Sequence, residues 1–174
     1  AYLSRVVEPP CAALAAYVAA VGPVEAAARI RRGDEEEELT PFVDARREQD
    51  CAATDVAMLQ ARGGRLITPG DDEWPLLAFV AFGSPDVRKK ERSDPPLVLW
   101  AIGPARLDEV AERSVALVGT RAATAYGEHV TADLAAGLVE REVAVVSGGA
   151  YGIDGAAHRA ALASDGTTIA VLAG

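Results

Sequence analysis

The fold is decided by residues 114–174, which read SVALVGTRAATAYGEHVTADLAAGLVEREVAVVSGGAYGIDGAAHRAALASDGTTIAVLAG. Three apolar runs stand out, at Val115–Val118, Val143–Val146 and Thr167–Leu172, and their starts are 28 and 24 residues apart. Continuous apolar runs of this length are typical of strands buried on both faces. Because the spacing leaves room for a helix between successive strands, it predicts a parallel β-α-β-α-β sheet with right-handed connections.

Both intervening segments carry helix signals. Thr124 is a good N-cap for the first helix, which we expect to run from about Ala125 to Glu142. A second helix is predicted over Gly155–Ser164. One apolar stripe at i, i+4, i+8 of the first helix is expected to face the core: Val130, Leu134 and Leu138. The pattern is the first half of a Rossmann-like domain, and we expect the rest of that fold to lie outside this sequence.

Residues 1–64 read as a separate group of short helices. Pro9-Pro10 opens an alanine-rich helix, Gly22-Pro23 ends it and starts another, and Gly33 is a C-cap for the second. A further helix is predicted over Cys51–Ala61. This arrangement predicts a small SAM-like, helix-hairpin-helix-like domain. Such hairpins can offer backbone amides to DNA phosphates, but no basic pair flanks this one, so packing is the favoured interpretation.

Residues 65–113 are interpreted as a lead-in to the predicted sheet. Short strands are expected at Arg65–Thr68 and Leu97–Ile102. Between them, Phe82–Asp94 is highly charged and is expected to be a loop, with nucleic-acid contact as an alternative. Upstream, the five acidic residues of Asp34–Glu38 are expected to be a solvated loop or helix start.

Charge and hydropathy exclude several classes of protein. The 174 residues carry a net charge of −9, and segments 1–64, 65–113 and 114–174 carry −4, −2 and −3. No segment has the basic stripe of a duplex-DNA binder, so any nucleic-acid site must be local. The longest apolar run, Ala12–Val21, is about half of the roughly 20 residues that a bilayer span needs. With no secretory leader and no disulfide or metal-ligand pattern in the two cysteines, we expect a cytoplasmic protein without metal or cofactor.

The candidate site lies where the predicted strands end. In open α/β sheets, ligands bind beyond the carboxyl ends of the strands. Glycine-rich loops follow the first two strands there, and the second loop leads into a helix N-terminus, a combination suited to phosphate. The candidate residues are Gly119, Thr120, Arg121, Ser147, Gly148, Gly149, Tyr151, Gly152, Ile153 and Asp154.

Several side chains in these loops have alternative interpretations. Arg121 offers a charged fork for phosphate or a pairing partner for a nearby acid such as Glu128. Tyr151 is expected to cover the loop, with stacking on a base as the alternative. Asp154 and His158 are spaced i, i+4, which favours a local hydrogen bond or helix-start role over acid–base chemistry. The loops match neither G-x-G-x-x-G nor a Walker sequence, and no nucleophile elbow is present.

These loops resemble the DNA-processing protein A (DprA/Smf) family. The resemblance is carried by VALVGTRAATAYGE (115–128), VVSGGAYGIDGAAH (145–158) and TTIAVLAG (167–174). The upstream stretches RLITPGDDEWP (65–75) and PPLVLWAIG (95–103) are also similar to the family's lead-in. Two positions depart from the family pattern. Thr120 stands where serine is usual and keeps the hydroxyl, whereas Tyr151 stands where many members have arginine.

The resemblance implies a function. It implies a non-enzymatic protein with a SAM-like domain and a Rossmann-like core that binds single-stranded DNA, protects incoming strands in natural transformation and loads the RecA recombinase. It further implies a homodimer when full length, with more DNA contacts beyond Gly174. The ten loop residues would hold phosphates without reading base edges. The alternative is a nucleotide-phosphate hydrolase of the lysine-decarboxylase-like or phosphoribohydrolase group, which has a similar pocket but a Pro-Gly-Gly-x-Gly-Thr sequence that this chain lacks.

Overall fold

A computed structural model describes residues 1–80 and 95–172 of the chain. The predicted loop Phe82–Asp94 lies outside these residues. The chain divides into two compact units, Ala1–Pro104 and Ala105–Gly174. The predicted domain limits at residues 64 and 113 remain a prediction; the division after Pro104 places the paired strands of the lead-in in the same unit as the helices.

The first unit is built from short helices and one strand pair. The helices are α1 (Tyr2–Val6), α2 (Ala12–Val21), α3 (Pro23–Arg32), α4 (Thr40–Val43), a 3-10 turn (Asp44–Arg46), α5 (Ala52–Ala61) and α6 (Leu76–Phe79). The strands are β1 (Gly64–Ile67) and β2 (Leu99–Ile102), which pair antiparallel. Gly33 ends α3 with a left-handed φ of 76°, and its N–H donates to the carbonyls of Arg29 and Ile30, so the predicted C-cap is confirmed.

The helices of the first unit enclose a core of mixed aliphatic and tyrosine side chains. Ile30 and Val43 are completely buried, and Leu14, Tyr17 and Leu39 are nearly so. Proline at the start of α3 and Gly22 before it turn the chain by 113° between α2 and α3, which lets both helices face this core. Within the described residues, no single helix is long and apolar enough to span a membrane. The bent α2–α3 pair meets the length and composition requirement only when its two helices are taken together.

The second unit contains the predicted parallel sheet. Its elements are α7 (Leu107–Glu112), β3 (Ser114–Ala116), α8 (Ala125–Val139), β4 (Ala144–Ser147), α9 (Ile153–Ala163) and β5 (Thr168–Ala170). The strand order is β3-β4-β5, and both pairings are parallel. Thr124 caps α8 by accepting the N–H of Gly127 at 3.1 Å, as the sequence predicts. The mixed α/β fold class with a β-α-β-α-β sheet is therefore confirmed, while the SAM-like character of the helices remains a prediction.

The core of the second unit corrects the predicted helix face. The fully buried residues are small, namely Ala135 on α8 and Ala157 and Ala161 on α9, and they pack against Val145 of β4. Leu134, which the apolar stripe placed in the core, is 55% exposed. Alanines let α8 and α9 approach each other closely, so the buried residues of α8 are Thr131 and Ala135. Leu138 of the predicted stripe does pack against this core and is partly buried.

The edge strand β3 also differs from expectation. Val115 is 40% exposed and Val118 is 79% exposed, so this run is not buried on both faces. In the central strand β4, by contrast, Ala144, Val145 and Ser147 are buried. Position in the sheet decides the difference, because β4 has a neighbour on each side and β3 has one among the described strands.

Candidate nucleic-acid interface

Two loops meet at the carboxyl edge of the sheet. The first loop, Gly119–Arg121, follows β3, and the second, 148–152, joins β4 to α9. The N–H of Ile153 donates to the carbonyl of Thr120 at 3.2 Å and fastens the second loop to the first. Strands β3 and β4 are adjacent and parallel, so their following loops lie side by side.

Gly152 is the point of closest approach between the loops. It is the N-cap of α9 and has a φ of 75°, which side chains of L residues rarely adopt. A Cβ there would lie 2.3 Å from the carbonyl oxygen of Thr120 and 2.5 Å from that of Arg121. At Gly119 a Cβ would lie 2.5 Å from Cγ1 of Ile153. Gly152 is therefore required by the contact between the loops, and Gly119 by the contact of the first loop with Ile153 of α9, with or without a ligand.

The second loop presents a run of unused donors. From Gly148 to Gly152, none of the five backbone N–H groups donates to an acceptor in the described parts of the chain. They lie immediately before α9, which has 11 residues. Successive unpaired N–H groups ahead of a helix N-terminus create a positive potential that suits an anion.

The charged and aromatic side chains of the loops differ in exposure. Arg121 is exposed and forms no ion pair or hydrogen bond with the described residues, so the alternative pairing with Glu128 is not formed. Tyr151 is 87% exposed at the tip of the second loop. Asp154 is only 8% exposed, and its carboxylate has no hydrogen-bond partner among the described residues. Arg121 and Tyr151 are available to a ligand, whereas Asp154 lies beneath the loop.

Two hydroxyl groups of the predicted site are engaged within the protein. Ser147 is 3% exposed, and its Oγ donates to the carbonyl of Leu117 at 2.6 Å, which ties β4 to the end of β3. The N–H of Ala122 donates to Oγ1 of Thr120 at 3.2 Å and closes a turn in the first loop. The Thr120 hydroxyl keeps its proton for a ligand, whereas the buried Ser147 hydroxyl serves the sheet.

His158 anchors the second loop rather than pairing with Asp154. Its Nε2 lies 2.9 Å from the carbonyl oxygen of Gly148, and its Nδ1 lies 2.7 Å from Oγ1 of Thr168 in β5. The Thr168 hydroxyl in turn donates to the carbonyl of Val145 at 2.8 Å. The i, i+4 spacing suggested a local bond with Asp154, which the structure does not contain. The imidazole binds both Thr168 of β5 and Gly148 of the loop because the fold places these two residues on either side of it.

The opposite edge of the sheet has a different character. A cavity of about 370 Å³ lies there, at the amino ends of β4 and β5. Its charged lining consists of Glu109, Arg113, Glu142 and Asp165, so acidic groups predominate. Arg113 is already within 3.8 Å of Glu142. Three carboxylates against one guanidinium make this lining less suited to phosphate than the loops at the carboxyl edge.

Comparison with known proteins agrees with the resemblance in these loops. The whole chain is 71% identical to a protein of Mycobacterium tuberculosis (strain H37Rv) named as the DNA processing protein DprA, and it covers 45% of that protein. It is 43% identical over 81 residues to DNA processing protein DprA of Bacillus subtilis (strain 168), covering 47% of this chain and 27% of that protein. The chain thus spans less than half the length of these curated relatives.

A solved structure and a family match extend the comparison. The X-ray structure of DNA processing protein A (DprA) from Streptococcus pneumoniae matches with a TM-score of 0.62 and 26% identity, covering 98% of this chain and 55% of that one. Residues 65–174 match the family described as DNA recombination-mediator protein A, and these residues include both loops. On this evidence of sequence and fold together, the chain belongs to the DNA recombination-mediator protein A family.

Proposed function

We propose that this chain is a single-stranded DNA-binding part of a DNA-processing protein that acts in recombination, and that it binds without catalysing a reaction. One observation carries the proposal: the five N–H groups of Gly148–Gly152 have no acceptor among residues 1–80 and 95–172, and the second loop that carries them contacts the backbone of the exposed Arg121, which has no partner in the same ranges. Names of the relatives support a DNA-processing role, and membership of the family supports a role in recombination.

Phosphate capture follows from the chemistry of the two loops. Backbone N–H groups and a guanidinium recognise phosphate oxygens, which are the same in every nucleotide, so binding tolerates any base sequence. Tyr151 is 87% exposed and has a free ring face for a base, an interaction that is also tolerant of sequence. A single strand can expose phosphates and unstacked bases together. The net charge of −9 disfavours the broad electrostatic contact that duplex binding needs.

The salt dependence of binding tests the role of Arg121. Loss of one phosphate contact flattens the plot of log affinity against log salt by about 0.7 for a single strand. We expect Arg121→Ala to show this change with labelled oligo(dT), and equally with a mixed-sequence strand, because phosphates carry no sequence information. Its thermal stability should change by less than about 0.5 kcal/mol, since the side chain is exposed and unpaired.

Arg62→Ala is the matched control. Arg62 is an exposed arginine of the first unit without an ion pair among the described residues, so its loss removes the same charge. Its salt slope should equal that of the wild type. An unchanged slope in Arg121→Ala would remove that residue from the site, and measurable hydrolysis of nucleoside monophosphates by the wild type would contradict a purely binding function.

Partners of the whole protein form the second part of the proposal. We propose that the intact protein forms a homodimer, passes its strand to a RecA-type recombinase and works in the cytoplasm during natural transformation. A family role in recombination supports the handover. Sedimentation of the intact protein would measure whether it is a dimer. Loading would be measured as the rate at which RecA forms filaments on DNA strands already coated with a competing single-strand-binding protein. Failure of the protein to speed filament formation would contradict the handover.

A further inference from the structure

Arg159 is a second unpaired arginine at the carboxyl edge. It lies on α9, is exposed, and has no ion pair or hydrogen bond with any described residue. Its guanidinium is folded back along the helix: a Cβ on Gly155 would lie 3.0 Å from Nη1 of Arg159 and 3.4 Å from the carbonyl oxygen of Ala150. The guanidinium is therefore beside the first turn of α9, next to the loop that holds the unused N–H groups.

The position of this side chain follows from helix geometry. Side chains on a helix point toward its N-terminus, over the residue four positions earlier. That residue is Gly155, which leaves room for the guanidinium. Arg141 has the same relation to Gly137 in α8, but its Nη1 donates to the Gly137 carbonyl at 2.7 Å. Each of these arginines follows a glycine by four residues, but they differ in hydrogen bonding. Arg141 donates to the Gly137 carbonyl, whereas Arg159 donates to no described residue.

The net charge of the candidate site depends on whether Arg159 is part of it. The ten predicted loop residues contain one cation, Arg121, and one anion, Asp154, so they carry no net charge. Asp154 is more than nine-tenths buried without a hydrogen-bond partner among the described residues, and a Cβ on Gly148 would lie 2.7 Å from its Oδ2. From beneath the loop, this carboxylate offsets the positive charge of Arg121. Arg159 makes the charge of the site positive.

We propose that Arg159 binds a second phosphate of the single strand whose neighbouring phosphate is held at Arg121. This inference rests on the proposed function, since it assigns a further contact to the same interface. With Arg121 in the first loop and the Arg159 guanidinium beside the first turn of α9, the backbone of a strand would be held at two points. Two contacts would fix the orientation of the strand's backbone on the protein, which a single phosphate contact cannot do.

Four variants of the intact protein test this inference with labelled oligo(dT) at several salt concentrations. Arg159→Ala should flatten the salt slope by about 0.7, and the Arg121→Ala, Arg159→Ala double variant by about 1.4, because each contact releases its own counterions. Arg159→Lys should keep the slope, since it keeps the charge. Arg141→Ala, which removes the same charge just beyond the C-terminal end of α8, should leave the slope unchanged. A thermal melt of each variant shows that it is folded.

The outcomes separate the inference from the proposed function. If Arg121→Ala flattens the slope and Arg159→Ala does not, the second contact is wrong and the interface stands. If the Arg141→Ala slope falls as far as that of Arg159→Ala, the effect is one of overall charge and the inference is overturned. If the wild type shows no salt-dependent binding, both the interface and the contact are wrong.

Discussion

The two units of the chain use their charges and their small residues in opposite ways. In the first unit, arginines join separate elements: Arg5 binds Asp55 through two bonds of 2.6 Å and links α1 to α5, and Arg47 binds Glu35 across 12 residues. In the second unit, Arg121 and Arg159 have no partner among the described residues. Its core is packed mainly with alanine side chains, and its two loops contact each other at Gly152.

This difference shows where each kind of substitution takes effect. The side chains of Asp55 and Glu35 are 6% and 2% exposed, so loss of either removes a buried charge from an ion pair. Arg47 would then keep only its longer contacts of 3.4 Å to Asp44 and to the Ile30 carbonyl. At the carboxyl edge of the second unit, a lost charge leaves no such gap, whereas an added methyl group meets backbone. Loss of these buried carboxylates should therefore alter stability in the first unit. At the carboxyl edge of the second unit, loss of a charge should alter binding, and an added side chain at Gly152 should alter stability.

Gly152→Val should have the largest effect. The φ of 75° is strained for a β-branched residue, and the new Cβ would lie 2.3 Å from a backbone oxygen that cannot turn aside. We expect a loss of about 2–4 kcal/mol of stability and the loss of strand binding, measured by denaturant unfolding and by titration with oligo(dT).

Gly137→Ala is the control for glycine replacement in the same unit. A Cβ on Gly137, inside α8, would meet only Nη1 of Arg141 at 3.6 Å, an ordinary contact. This change should leave stability unchanged or raise it by up to about 1 kcal/mol, because glycine is a poor helix former. Equal stability of the two variants would show that the loops do not depend on the close approach at Gly152.

Glu35→Gln should have the next largest effect, seen as a drop of the melting temperature by several degrees. Its carboxylate accepts two bonds from Arg47 and a third from the hydroxyl of Thr40 at 3.2 Å. The neutral amide cannot balance the guanidinium, which is only 17% exposed. Glu36→Gln removes the same charge from an exposed neighbour and should leave the melt unchanged. Similar melts for both variants would contradict the structural role of Glu35.

Acid should weaken the first unit by a smaller amount through Asp55. The hydrogen bond from Arg5 holds the pKa of the Asp55 carboxyl below its ordinary value of about 3.9. A lowered pKa in the folded state contributes stability above that ordinary value, and the contribution is lost as the pH falls through the folded pKa.

The Asp55→Asn variant isolates this contribution. Its melting temperature should fall furthest below that of the wild type at neutral pH, and the gap should narrow below about pH 4, where the wild-type carboxylate takes up a proton. Asp72→Asn, at an exposed carboxylate without an ion pair among the described residues, should show no gap at any pH. A gap for Asp55→Asn that stays constant down to pH 2 would contradict the linkage.

Local signals in the sequence identified the elements and their ends. Apolar runs separated by helix-length segments are enough to place three strands, and the caps at Thr124 and Gly33 depend on residues within one turn. The loops of the candidate interface also follow from sequence order, because parallel strands bring their carboxyl ends to one edge. Such features depend on neighbours in the chain, which the sequence displays directly.

Partners distant in sequence were not predictable in the same way. The acidic run at residues 34–38 was expected to be solvated, yet Glu35 is buried against Arg47. His158 suggested a bond within its own helix, yet it binds Gly148 and Thr168. The i, i+4, i+8 stripe of α8 predicts Leu134 in the core, yet Ala135 is the fully buried residue there and Leu134 is 55% exposed.

Local sequence patterns are enough to predict the fold class, the order of the elements and the edge of the sheet at which a phosphate-binding loop can lie. Which arginines find a partner among the described residues depends on how the chain folds, and so does the position of the Arg159 guanidinium beside the loop that precedes α9. The difference lies in the separation along the chain of the residues that each feature depends on. Strand runs and caps are set by backbone geometry within a few residues, whereas pairing of a long charged side chain depends on which distant groups the fold brings within hydrogen-bond distance.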